Sequence, residues 1–93
     1  MTYVKTLPVF LFSLSIVSAA PVDFVKDVQP IFQKSCYGCH GPKNQMARLR
    51  LDSKALAMAG GQSGVAIHPG KPSESILYAR VAGIGDQARM PMG

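Results

Sequence analysis

From Asp23 to Cys36 the apolar residues Phe24, Val28, Ile31 and Phe32 recur every three or four positions, the period of a helix that buries one stripe. Asp23 stands where an N-cap belongs, and Pro30 interrupts the hydrogen-bond ladder, so a kink or a fresh helical start is expected there. Further on, Leu49 and Leu51 alternate with Arg48 and Arg50, which predicts a brief extended segment with the leucines turned inward. Asp52 or Ser53 then caps a short helix through about Met58, closed by Gly60 and Gly61. A last helix is expected from Pro72 or Ser73 to about Val81, with Ile76, Leu77 and Arg80 stepping round one side and Gly83 and Gly85 ending it. Gly41-Pro42-Lys43-Asn44, the glycine-rich turn through Gly64, and His68-Pro69-Gly70-Lys71-Pro72 are the breaks between these units.

Before this pattern begins lies a stretch of another kind. Lys5 precedes an apolar run from Leu7 to Val17, and Val17-Ser18-Ala19 has the small-residue spacing of a cleavage site, so residues 1–19 read as a signal peptide. Eleven residues interrupted by Pro8, Ser13 and Ser15 fall short of the ~20 that span a bilayer. Cleavage after Ala19 leaves 74 residues, 20–93, as one domain outside the cytoplasm, periplasmic or otherwise exported. Without Lys5 the domain has nine Lys and Arg against five Asp and Glu, a net charge of about +4, mild enough for ordinary solubility or for steering toward an acidic partner or anionic lipid. No basic cluster interleaved with aromatics is present, which excludes a nucleic-acid reader.

The chemistry is concentrated in Cys36-Tyr37-Gly38-Cys39-His40, which holds both cysteines and one of the two histidines. Cys-x-x-Cys-His is the attachment signature of c-type haem. Thiols three residues apart add to the two vinyl groups of a porphyrin, and the adjoining imidazole is then held beneath the ring to bind iron. Three other readings use the same residues less well. A thioredoxin-like redox pair needs a strand-to-helix turn that nothing here supplies, and a zinc site would have to use Cys36, Cys39, His40 and His68, with adjacent Cys39 and His40 in an awkwardly tight chelate. An exported disulfide loop leaves His40 without a role. A chain this short is near the limit at which a core alone holds a fold. Phe24, Ile31, Phe32, Leu49, Leu51, Ile76 and Leu77 are therefore expected to pack on the porphyrin, and the apo chain to fold poorly.

With His40 as the fifth ligand, the opposite side of the iron decides between electron transfer and open-site chemistry. A methionine thioether is the usual partner in cytochromes c and raises the potential. Met90 is the expected sixth ligand: it lies nine residues past Val81, a length that reaches up to ~30 Å, and Pro91 stiffens its approach. Met92 and His68 are the alternatives, while Met46 and Met58 read as packing residues. Arg48, Arg50 and Arg89 are available to haem propionates, although a solvated face accounts for each, and Tyr78 reads as a core aromatic.

The ordered set Asp27-Val28-Gln29-Pro30-Ile31, Cys36 to Pro42, Leu49-Arg50-Leu51-Asp52, Gly60-Gly61, Pro69-Gly70-Lys71-Pro72 with Ser75-Ile76-Leu77, and Arg89-Met90-Pro91 resembles the planctomycete-type cytochrome c domain over essentially all of 20–93. The resemblance implies an all-α, cytochrome c-like haem domain with Cys36 and Cys39 as thioether attachments, His40 as proximal ligand and Met90 as distal ligand. Two departures stand out: His68 occupies a position where an apolar residue is common, and the residues after Met90 are too few for the usual C-terminal helix. The domain therefore reads as truncated at its C-terminus, with part of the Phe24 and Val28 face left uncovered.

The function expected is that of an exported electron carrier, not an enzyme, with haem c and its iron as cofactor and with redox donor and acceptor proteins that the sequence does not identify. The alternatives are the N-terminal haem domain of a larger exported oxidoreductase, with further domains of the same protein as partners, and a five-coordinate haem that binds small ligands.

Overall fold

The structure, a computed structural model, describes residues 2–13 and 20–92. Its regular elements among the described residues are all helical: a π-helical turn Phe24–Val28, α1 at Gln29–Ser35, a 3-10 turn Met46–Arg48, α2 at Lys54–Ala59, a 3-10 turn Pro72–Glu74 and α3 at Ile76–Ala82. Strand-like pairing is limited to two isolated bridges, His40 with Gln45 and Gly61 with Gly64.

Each helix begins where local chemistry starts it. The Asp23 carboxylate accepts from the Lys26 amide at 2.8 Å, an N-cap. Pro30 has no amide to continue the ladder, and the turn ahead of it widens so that the Gln29 amide donates to the Phe24 carbonyl. A fresh helix, α1, starts at that point with proline in its first turn. Ser53 caps α2 through its hydroxyl, which accepts from the Leu56 amide at 3.1 Å. The last helix begins later than its apolar spacing suggests: Ser75 is extended at its N-cap, and its side chain is engaged elsewhere. The His68 amide donates to Ser75 Oγ at 2.8 Å, and the hydroxyl shares its proton between the carbonyls of His68 and Lys71, so Ser75 ties down the turn in front of α3. Gly83 ends α3 with φ of 71° in the left-handed region.

The core is small, with Phe32, Leu51 and Ala57 buried and Phe24, Val28, Leu49, Ile67 and Leu77 packed around them. Phe24 meets Phe32 edge to face, with ring centroids 6.0 Å apart. Ile31, expected in this core, is 61% exposed, because the restart at Pro30 turns it away from the stripe that carries Phe32. Tyr78 and Met46 are likewise exposed, at 48% and 57%. Tyr78 lies on the outer side of α3, and Met46 is carried outward by the 3-10 turn it begins.

Residues 2–13 contain no helix, and their apolar side chains are exposed. The expected cleavage site at Val17-Ser18-Ala19 lies outside the described residues. No helix of the described residues is long and apolar enough to cross a membrane. Beyond Ala82 the described residues form no further helix.

Candidate functional site

The end of α1 runs directly into the cysteine motif. The amides of Cys36 and Tyr37 both donate to the Phe32 carbonyl, at 2.7 and 2.9 Å, and the amides of Cys39 and His40 donate to the Cys36 carbonyl, at 3.1 and 2.9 Å. This is an irregular continuation of the helix, with one bond reaching back five residues and another three. It keeps Cys36, Cys39 and His40 within little more than one turn of one another. The loop that follows folds back on the motif: Met46 N donates to the Cys39 carbonyl, Gly41 N to the Asn44 carbonyl, and Asn44 Nδ2 to the Gly38 carbonyl. A side chain at Gly41 would run into the Tyr37 carbonyl oxygen at 2.6 Å, whereas the space around Gly38 is free of protein atoms. The close approach in this turn is therefore at Gly41.

His40 is buried, and its main chain is held from both sides, since its carbonyl also accepts from Leu51 N at 2.8 Å. Its Nδ1 has no hydrogen-bond partner, and the Tyr37 hydroxyl shares this condition. Buried polar atoms are ordinarily paired, so an orphaned imidazole nitrogen beside two free thiols marks a place built for a further group. Both cysteines are free, Cys36 half-buried and Cys39 exposed. Burial, and then the neighbouring Cys39, push the Cys36 thiol up from its ordinary range.

Two adjoining clefts meet at this motif. The first is walled by Phe32, Leu49, Leu51, Ala66, Ile76 and Leu77, with Cys36, His40 and Met90 also on its surface. The second shares Cys36, His40, Ala47 and Met90 and adds Cys39, Met46 and Met92. The structure thus brings Cys36, Cys39, His40, Met90 and Met92 to one place. His68 is not there: it is exposed and lines a different groove with Pro69, Lys71 and Tyr78. Arg50 is also withdrawn, because its guanidinium makes a two-pronged contact with Asp52, Nε to Oδ1 at 2.9 Å and Nη2 to Oδ2 at 2.7 Å. Among the described residues no three His, Cys, Asp or Glu side chains gather to hold a metal ion by themselves.

Two contributors escape a reading of motifs. Ala47 reaches the cleft through a left-handed backbone, with φ of 55° followed by 57° at Arg48, a conformation uncommon for residues with a side chain. Its carbonyl accepts from Gln62 N at 2.7 Å, which brings the Gly61–Gly64 turn onto the cleft wall. No local sequence signal announces a left-handed alanine. Arg80 is the other: its carbonyl accepts from Met90 N at 3.0 Å. A cation one turn before a glycine stop is a recognisable C-terminal feature of helices, though it does not reveal that the tail returns to it.

A family model described as Planctomycete cytochrome C matches residues 36–91, from the first cysteine of the motif to the proline after Met90. The match covers more than half of the chain. The chain belongs to the planctomycete cytochrome c family. No curated protein and no solved structure matches it. Membership implies covalently bound haem c with its iron, and a haem-binding role in electron transfer. The residues fit that group: an apolar-walled cleft, two free thiols at its edge, and a buried imidazole with an unpaired nitrogen.

Proposed function

We propose that this protein is an exported one-electron carrier in which Cys36 and Cys39 hold haem c through thioethers and His40 and Met90 are the axial ligands. One observation carries the reading: His40 and Met90, 50 positions apart in the chain, line the same apolar cleft as Cys36. The haem iron supplies a reversible ferric–ferrous couple. The chain's own residues bind, orient and shield.

The hydrogen bonds from the His40 amide to the Cys36 carbonyl and from the Leu51 amide to the His40 carbonyl hold the main chain of His40, so its imidazole needs little reorganisation to act as a ligand. Apolar walls formed by Phe32, Leu51 and Leu77 keep water from the site. Low polarity and a thioether ligand both favour the reduced state and raise the potential. Cys39 and Met46 are exposed beside the second cleft, and this is the side through which an electron would enter or leave. Catalysis on a substrate is not part of this role. The leader at residues 1–19 accounts for export to the compartment where haem c is attached.

The ligand assignment is tested by the sulfur-to-iron charge-transfer band of the ferric holoprotein. The band is expected in the parent and lost in Met90→Ala. A Met90→Ala protein that keeps it contradicts Met90 ligation. A parent without it and with a high-spin ferric spectrum points instead to a five-coordinate haem that binds small ligands.

A further inference from the structure

Met90 arrives at the cleft on a segment, residues 83–90, that has no regular structure. Such a segment needs something to hold its far end if its side chain is to stay on one atom. Three hydrogen bonds supply this, and all three converge on one residue of α3. Met90 N donates to the Arg80 carbonyl at 3.0 Å, Arg80 Nη1 donates to the Ala88 carbonyl at 2.9 Å, and Arg80 Nη2 donates to Gln87 Oε1 at 3.1 Å. Arg80 also lines the first cleft together with His40 and Met90.

We infer that Arg80 is the positioning residue for Met90, a clasp that fixes the returning segment to the end of α3 so that the thioether stays in reach of the iron. The inference rests on the reading of Met90 as a ligand. Its geometry explains the residue type. The two acceptors belong to adjacent residues, and a rigid guanidinium fork bonds both at once, which a lysine ammonium on a flexible stem does poorly. The third bond uses the Arg80 main chain and is independent of the side chain. Removing the fork should therefore loosen the segment without releasing it. The segment is also closed at its other end, where the left-handed Gly83 lets Ile84 N donate back to the Ala79 carbonyl at 2.9 Å, so slack introduced at Arg80 is concentrated between Gly85 and Met90.

The test is a competition between Met90 and imidazole in the ferric holoprotein, produced as the full chain with haem-attachment machinery and measured well below the melting temperature. Imidazole binds iron only when the thioether is off, so its apparent affinity reports how tightly the segment holds Met90 in place. Arg80→Ala should raise that affinity roughly three- to tenfold, the range for losing one or two hydrogen bonds at a partly exposed site. Arg80→Lys should recover little of the loss. Arg89→Ala removes the same charge next to Met90 and should stay within about twofold of the parent, since Arg89 takes no part in the three bonds. Gln87 is exposed, so Gln87→Ala tests one prong with little risk to folding, and a rise of about twofold is expected. If Arg80→Ala, or Gln87→Ala where the first fails to fold, leaves imidazole affinity at the parent value while Met90→Ala abolishes the charge-transfer band, the clasp is wrong and the ligand assignment stands. If Met90→Ala keeps the band, both are wrong.

Discussion

The amide of Leu51 donates to the carbonyl of His40 at 2.8 Å, and the Leu51 side chain, 2% exposed, is the largest fully buried one among the described residues. One residue thus secures the cysteine motif through its backbone and the core through its side chain. Leu51→Ala keeps the hydrogen bond and opens a cavity against Phe32 and the cleft. A loss of about 2–5 kcal/mol is expected, measured by denaturant unfolding of the holoprotein. A loss below 1 kcal/mol would mean that the cleft collapses around the gap without penalty.

Gly61 sits so close to the chain before it that a methyl group would meet the Ala47 carbonyl oxygen at 2.7 Å and Leu49 Cβ at 3.1 Å. The obstacle is mostly backbone, which has no rotamer to change. Gly61→Ala should destabilise the holoprotein by about 1–3 kcal/mol and shift its visible spectrum, because Ala47 and Leu49 are cleft residues. Gly64→Ala is a useful contrast: its methyl would meet no atom, and any cost there comes from its left-handed φ of 97° alone.

How much of this was readable in the chain differs from segment to segment. The Asp23 cap, the restart at Pro30, the Ser53 cap and the Gly83 stop were all legible, because each depends on chemistry within four residues. Ile31 fits the apolar stripe by spacing yet is exposed, because the restart at Pro30 changes which side of the helix it occupies. Met46 and Tyr78 are core-type residues yet exposed, because residue type does not say which side of an element a side chain takes. Local pattern favours Pro72 or Ser73 as the start of α3, while Ser75 belongs to a hydrogen-bond network with His68 and Lys71 that no local pattern encodes. Spacing groups Cys36, Cys39 and His40, and the reach of the chain past α3 makes Met90 a candidate; the cleft that Met90 shares with Cys36 and His40 is a tertiary feature. The left-handed Ala47 and the part Arg80 plays could not be picked out in this way, since both are fixed by contacts with segments 7 to 15 residues away.

The two hydrogen bonds from the Arg50 guanidinium hold the Asp52 carboxyl below the ordinary carboxylate range. Its folded value is lower than its unfolded one, so the stabilisation is present above the unfolded value of about 4 and is lost as pH falls through the folded value. Gln29 Nε2 also reaches the Asp52 carbonyl at 3.3 Å, which ties this ion pair to α1. In acid titrations of the unfolding midpoint, Asp52→Asn should be less stable than the parent at neutral pH, and the difference should shrink below about pH 4. A constant difference across that range would show that the ion pair contributes nothing to the acid limb.

His68 lies in a separate groove, exposed and away from the residues around His40. His68→Ala is accordingly expected to leave the ferric charge-transfer band and the Soret position unchanged. Its turn is held by the main chain and Ser75, so stability should also change by less than about 0.5 kcal/mol. A parent that lacks the band, and whose low-spin ferric spectrum turns high-spin in His68→Ala, would move the sixth ligand from Met90 to His68.

The most direct test of the account is whether haem is covalently joined at Cys36 and Cys39. The full chain should be exported together with haem-attachment machinery, its intact mass determined after denaturation, and its alkaline pyridine spectrum recorded. The account predicts one haem added to the mass and retained through denaturation, the spectrum of two thioether links, and the spectrum of a single link in Cys36→Ser or Cys39→Ser. A denatured chain that carries no haem, in a host that attaches it to other c-type proteins, would contradict the central claim.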